Sequence, residues 1–440
     1  MNPLYYKLLK TWLFSFLLIF AGSILANGPL YAENRNIPEK NDTTRRWMPA
    51  DSVFANWLRS KNYQIVNNNE IQLLTSGREK FNVMFEEIRK AQSSIHLEYF
   101  NFRNDSIAGA LFDLLGDKVH DGVKVRAIYD AFGNMSNNRP LRKKHVKALH
   151  DEGIEIVIFD PFTFPYINHA FSRDHQKIVV IDGKVGYTGG MNVADYYING
   201  LPEIGPWRDM HVRFKGPIVA KLQEAFLKTW NDETHQHIDG NELFPYSQDS
   251  LNAPPTHAGG QVAIVQRIPH KAPKAMREAY IAAINSAQQK IEIINPYFTP
   301  IRCIRRALED AIKRGVRVEI MIPGKSDIPF TPDAAMYIVN KLRKKGAHIY
   351  IYNGGFHHSK IMMVDDRFCT VGSTNLNSRS LRYDYEINSF IFDLKTTDEL
   401  TQMFKQDKLN STVLTKEVYK KRSVFKRLWG WFAHLFVPVI

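Results

Sequence analysis

The chain has 440 residues, of which 44% are hydrophobic and 23% charged, and this excludes a disordered polymer, a collagen-like fibre and a multi-span transporter. Its 58 Lys and Arg against 45 Asp and Glu leave a net charge of +13, which points to an anionic partner: nucleic acid, an acidic membrane surface or a phosphate-bearing substrate. Two cysteines, Cys303 and Cys369, are too few for a structural zinc site on their own and read as buried thiols.

Lys7 and Lys10 precede an uncharged stretch from Thr11 to Ala32, whose densest part is LFSFLLIFAGSILA. Residues 1–32 read as a signal segment or a single membrane anchor, with the retained anchor preferred and the N-terminus cytoplasmic. Beyond it the chain repeats itself. Ile88, Ala91, Gln92 and Ile95 in IRKAQSSI match Ile284, Ala287, Gln288 and Ile291 in INSAQQKI, and each set ends a helical pattern and opens a β-rich run. Gly122 and Gly153 match Gly315 and Gly346, each a helix terminator feeding a strand. Helix then strand, twice per half, predicts two similar α/β domains, 60–240 and 261–410, joined by a Pro-, Gly-, Ser- and Asn-rich linker at 241–260. Residues 416–440 form a basic and aromatic tail in which Phe425, Leu428, Trp429, Phe432 and Phe436 make one helical stripe. Such a stripe beside Lys420, Lys421, Arg422, Lys426 and Arg427 suits an anionic bilayer or, alternatively, the protein's own core.

The chemistry lies in a motif that occurs once per half. DHQKIVVIDG places His175, Lys177 and Asp182, and HHSKIMMVDD places His358, Lys360 and Asp365, both as H-x-K-x-x-x-x-D. Gly189 and Asn192 follow His175 by 14 and 17 residues, and Gly372 and Asn375 follow His358 by the same intervals. The apolar run after each lysine reads as a strand, and pairing from the histidine onward would put His and Lys on one face. Two imidazoles, two ammoniums and two amides make a site for a tetrahedral phosphate. One imidazole can attack phosphorus while the other, protonated, protonates the leaving oxygen. Asp182 and Asp365, grouped with the catalytic set by the motif, read equally as turn residues or ion-pair partners. A histidine-metal site is the rival use of the imidazoles, with His357, His235 and His237 nearby in sequence, but each motif histidine is followed by a lysine that would repel a divalent cation. No metal and no cofactor are expected.

The paired motifs resemble the phospholipase D superfamily over residues 60 to 410, and HLEYF (96–100), PWRDMHVRFKG (206–216), NPYFTP (295–300) and GSTNLNSRSLRYDYEIN (372–388) resemble its bacterial cardiolipin synthase branch. The resemblance implies two α/β domains, each a mixed sheet flanked by helices, related by a pseudo-twofold with the active site at their interface. It implies transfer of a phosphatidyl group from one phosphatidylglycerol to another through a phosphohistidine, giving cardiolipin and glycerol. His175 would be the nucleophile and His358 the general acid and base, with Asp209 and Glu386 orienting the histidines in an order the sequence leaves open. A lipid hydrolase releasing phosphatidic acid, and less so an exported nuclease, share the same catalytic frame. The implied partners are phosphatidylglycerol and anionic membrane lipid, without nucleic acid. The implied place is the bacterial inner membrane with the catalytic domains on the exported side. The branch commonly carries two N-terminal membrane segments, whereas this chain shows one.

Overall fold

A computed structural model describes residues 50–161, 172–256, 259–328 and 331–436. The segment read as an anchor or signal, 1–32, lies outside the described residues. In the first half the strands are β1 (Val66–Leu74), β2 (Ser94–Tyr99), β3 (Lys124–Asp130), β4 (Glu155–Phe159), β5 (Lys177–Ile181), β6 (Val185–Gly189), the short β7 (Trp207–Arg208) and β8 (His211–Lys215). The second half carries β9 (Gly260–Arg267), β10 (Lys290–Ile294), β11 (Arg317–Pro323), β12 (His348–Tyr352), the short β13 (Phe356–His357), β14 (Ile361–Val364), β15 (Phe368–Gly372), β16 (Glu386–Phe392) and β17 (Ser411–Val413).

Read outward from the middle, the first half runs β1-β8-β6-β5-β2-β3-β4 and the second β9-β16-β15-β14-β10-β11-β12-β17. The two orders correspond for seven strands, β17 being an extra edge strand of the second half, and β1 pairs antiparallel with β9, so the repeat closes into one 15-stranded mixed sheet with its pseudo-twofold between β1 and β9. The trios β2-β3-β4 and β10-β11-β12 are parallel and the other pairings of the sheet antiparallel, including the edge strand β17 against β12. Parallel pairing needs crossover helices, and these are Ser106–His120 and Lys143–Asp151 in the first half and Arg302–Lys313 and Thr331–Lys345 in the second. Gly122 and Gly315 follow the first helix of each pair at φ 88°, the left-handed backbone that ends a helix cheaply only with glycine. Helices cover both faces of the sheet, which is why β5 and β14 are buried at every position and apolar after the motif lysine.

Three segments add to the plan. The helix Ala50–Ser60 packs on the second half, where the Phe54 ring stacks 4.9 Å from Phe368. The 241–260 connection is pinned rather than loose: Leu243 and Leu251 are buried, and the Asn67 side chain donates to the Ala253 carbonyl at 2.8 Å. The C-terminal helix Val424–His434 rests on Thr331–Lys345 through Gly430 and Ala433. Among the described residues no helix is long and apolar enough to cross a membrane.

Candidate active site

The ladder of β5 begins at Lys177, opposite Tyr99, and that of β14 at Ile361. Both motif histidines therefore lie ahead of their strands, which corrects the expectation that pairing starts at the histidine. Backbone contacts with the opposite half hold them instead. The His175 amide donates to the Tyr385 carbonyl at 3.1 Å, and the His358 amide donates to the Arg208 carbonyl at 2.6 Å. Parallel bridges one residue earlier, Asp174 with Tyr385 and His357 with Arg208, complete the two equivalent crossings.

These crossings carry each acidic side chain to the other half's histidine. His175 Nδ1 lies 3.0 Å from Glu386 Oε1, and His358 Nδ1 lies 2.6 Å from Asp209 Oδ2. A carboxylate at Nδ1 fixes the tautomer with the proton there and leaves Nε2 with its lone pair for chemistry. The Lys177 ammonium donates to the His175 carbonyl at 2.5 Å, and Lys360 Nζ sits 2.7 Å from His358 Nδ1 and 3.1 Å from Nε2. The Asn192 and Asn375 side chains are both buried, and the Oδ1 of each has no hydrogen-bond partner among the described residues. Buried amides normally find partners, so this matched pair is unspent bonding capacity.

Burial dominates the electrostatics. It drives His175 well below the usual imidazole value and His358 to about 4, with Lys177 and Lys360 respectively adding to the effect. The same burial brings Lys177 down to about 7 and Lys360 to about 8, each lifted back in part by carboxylates, Glu386 for the first and Asp209 for the second. The two carboxylates differ. Burial raises Glu386 to about 7 against the pull of Lys177 and a hydrogen bond from Ser373. At Asp209 burial is outweighed by Lys360 and His358, so its pKa falls below the ordinary carboxylate value. The His175 side chain is 15% exposed and that of His358 7%, so the first is the more accessible from solvent.

Asp182 and Asp365 are not part of this cluster, which corrects their grouping with the histidines. Each sits at the far end of its motif strand and accepts from three backbone amides that open the neighbouring strand of the sheet, β2 or β10: Gln92, Ser93 and Ser94 for Asp182, and Gln288, Gln289 and Lys290 for Asp365. Both adopt left-handed backbone, φ 51° and 52°, as residues of a tight turn do. His235 and His237 lie beyond the helix Val219–Thr234, exposed.

Sequence reasoning missed several neighbours. Trp207, Tyr297 and Phe356 ring His358, with centroids 5.4, 5.7 and 5.3 Å away, and Phe100 meets His175 edge-on at 5.1 Å. Trp207, Tyr297 and Phe100 lie inside quoted motifs, but a one-dimensional reading assigns them no direction. Lys80 and His211 lie beneath the first-half side, both buried. Lys80 had a readable signal: it shares a helical stripe with Met84 and Ile88, where a charge is out of place.

Two His-x-Lys motifs meeting across the pseudo-twofold of a duplicated α/β sheet define the phospholipase D superfamily. The family model described as "Cardiolipin synthase, PLD-like domain" matches residues 84–230 and 280–408, one match per half, and the chain belongs to that family. It is 34% identical over 435 residues to "Probable cardiolipin synthase YwiE" of Bacillus subtilis (strain 168), covering 96% of this chain and 85% of that protein. It is 36% identical over 377 residues to "Major cardiolipin synthase ClsA" of the same organism, covering 85% and 76%. Among solved structures, a phosphatidylserine synthase of Haemophilus influenzae Rd KW20 superposes with a TM-score of 0.63 at 16% identity, over 88% of this chain and all of that one, a likeness of fold.

Proposed function

We infer that the chain is a cardiolipin synthase, moving the phosphatidyl group of one phosphatidylglycerol onto the glycerol hydroxyl of another. The observation that carries the reading is the crossed pairing of His175 with Glu386 and His358 with Asp209, which makes one site from two halves. In the first step His175 Nε2 forms a bond to phosphorus and the bond from phosphorus to the glycerol oxygen breaks, that oxygen taking a proton from His358. In the second step the hydroxyl of a second phosphatidylglycerol attacks phosphorus, His358 takes its proton and the phosphorus–nitrogen bond breaks. Burial and Lys360 keep ligand-free His358 at about 4, and the anionic phosphodiester, once seated by Lys177 and Lys360, offsets their charge and lets His358 hold the proton. The greater exposure of His175 supports its role as nucleophile. The two lysines supply the positive charge that a metal would bring, and the side-chain NH2 groups of Asn192 and Asn375 supply donors to the phosphoryl oxygens, their unpartnered Oδ1 atoms remaining acceptors.

We extend the reading to location: the enzyme works at the bacterial inner membrane with its catalytic halves on the exported side. The basic, apolar N-terminal segment and the exposed face of the C-terminal helix support this. The test incubates purified, detergent-solubilised protein with phosphatidylglycerol and resolves the products by mass. Cardiolipin with free glycerol, abolished by His175→Ala and by His358→Ala, is the expected result. Phosphatidic acid without cardiolipin would make it a hydrolase, and near-wild-type activity in either variant would remove the shared site.

A further inference from the structure

The two halves match so closely around the histidines that a difference directly beneath them is informative. The register that aligns Ile88 with Ile284 puts Met276 opposite Lys80, and the register that aligns Asp209 with Glu386 puts Asn388 opposite His211. On the second-half side this layer is neutral and closed. The Asn388 amide donates to Tyr280 Oη at 3.1 Å and Thr370 Oγ1 at 2.9 Å, and its Oδ1 accepts from the Thr374 amide at 3.3 Å. Met276 is buried in an apolar core.

On the first-half side the corresponding turn is held differently. The Met191 amide donates to His211 Nδ1 at 3.3 Å, the counterpart of the Thr374 contact, while His211 Nε2 is buried with no partner among the described residues. Gly189 (φ 152°) lies so close above the imidazole that a Cβ there would stand 2.5 Å from Nδ1. Lys80 Nζ donates to the Asn192 carbonyl at 3.3 Å and sits 4.3 and 4.7 Å from the ring centroids of Phe81 and Tyr99. Among the described residues no carboxylate forms an ion pair with it. An amine buried against one carbonyl and two rings costs stability that methionine of similar length would not, and the opposite half has methionine there.

We propose that Lys80 is a positioning residue for phosphatidyl transfer: with His211 it clamps the Gly189–Asn192 turn, so that the Asn192 amide is held toward the phosphoryl group on the side of the nucleophile. The second half fixes Asn375 without a buried charge: the Asn295 side chain donates to the Thr374 carbonyl at 3.5 Å and accepts from the Leu376 amide at 3.0 Å. The proposal rests on the synthase reading.

The test compares wild type, Lys80→Met, Asn192→Ala and the double variant, each assayed for cardiolipin formation and for cleavage of bis(p-nitrophenyl) phosphate. Lys80→Met should lower kcat about 10- to 100-fold, the cost of a slightly misplaced group. Its KM should stay within about twofold and its melting temperature should not fall. In the Asn192→Ala background the same change should cost nothing further, the signature of one residue acting through the other. Wild-type kcat in Lys80→Met, or losses that multiply in the double variant, would overturn the proposal. Wild-type protein that cleaves the soluble diester but forms no cardiolipin would overturn the synthase reading instead, and the cycle on the diester would still decide Lys80.

Discussion

Asp182 sits at the end of its motif strand away from the histidine and acts through the backbone of the neighbouring strand. Its carboxylate gathers the Gln92, Ser93 and Ser94 amides and the Ser93 hydroxyl, so it fixes where β2 starts, and β2 in turn sets the register of β5 and the motif lysine. The sequence showed the turn but not the three amides, because those donors lie 88 to 90 residues away. Asp182→Ala removes the acceptor of the part-buried Ser94 amide and of the exposed Gln92 and Ser93 amides and should cost about 1 kcal/mol of stability, while activity per folded molecule stays near wild type. Burial raises the Asp182 pKa, but the Ser94, Ser93 and Gln92 amides outweigh it and the net shift is downward. A folded-state pKa below the unfolded value means stability that is present above the unfolded pKa and lost as pH falls through the folded one. The deficit of Asp182→Ala at neutral pH should therefore shrink below about pH 4. Denaturant melts at pH 7 and pH 3 check this, and an equal deficit at both would show that the carboxylate is not the acting group.

At the scale of elements, the repeat was legible because each helix terminator and each β-branched run recurs in order, and the strand correspondence across the sheet is that repeat made three-dimensional. The start of the ladders was not legible, since period two cannot say which residue first finds a partner, and the partners of His175 and His358 are backbone groups of the other half. The C-terminal helix shows a different kind of gap. Gly430 reads as a weakness inside the stripe, yet it is the docking point: a Cβ there would lie 2.6 Å from the Asp333 carbonyl. With Gly430 and Ala433 turned inward, Phe425 (75% exposed), Leu428 (59%) and Trp431 (49%) face outward beside Lys426 and Arg427. One face is thus docked on the protein while the large apolar residues remain free for a bilayer. Phe425→Ser, Leu428→Ser and Trp431→Ser together should weaken binding to phosphatidylglycerol vesicles without lowering the melting temperature. Wild-type binding should also fall with salt, each basic residue near the surface being worth about 1 kcal/mol before screening. Vesicle sedimentation that is unchanged by both the substitutions and the salt would remove the helix from membrane docking.

At the scale of the whole molecule, the crossed acids make each histidine depend on the opposite half, and their unequal environments should be visible in one pH profile. Glu386, raised to about 7 by burial, must be ionised to accept from His175 Nδ1 and to stabilise the imidazolium, so kcat/KM should fall below about pH 7. Lys177, lowered to about 7, and Lys360, lowered to about 8, lose the charge that seats the phosphodiester, so the alkaline limb should begin at about pH 7 and steepen through about pH 8. The result is a narrow bell with its maximum at about pH 7. Asp209 is held below the ordinary carboxylate range by Lys360 and His358 acting against burial, so it stays ionised throughout this window and contributes no limb. The two conservative amides separate the assignments. Glu386→Gln, in the second half, should abolish the acidic limb, because the group that titrates there is gone even though His175 belongs to the first half. Asp209→Asn should lower kcat/KM at every pH and leave the acidic limb in place, since it removes an acceptor that never titrates in range, while the alkaline limb moves to lower pH because Asp209 no longer supports the Lys360 charge. An acidic limb that survives Glu386→Gln unchanged would assign the titration to another group and break the link between the crossed geometry and the pH dependence.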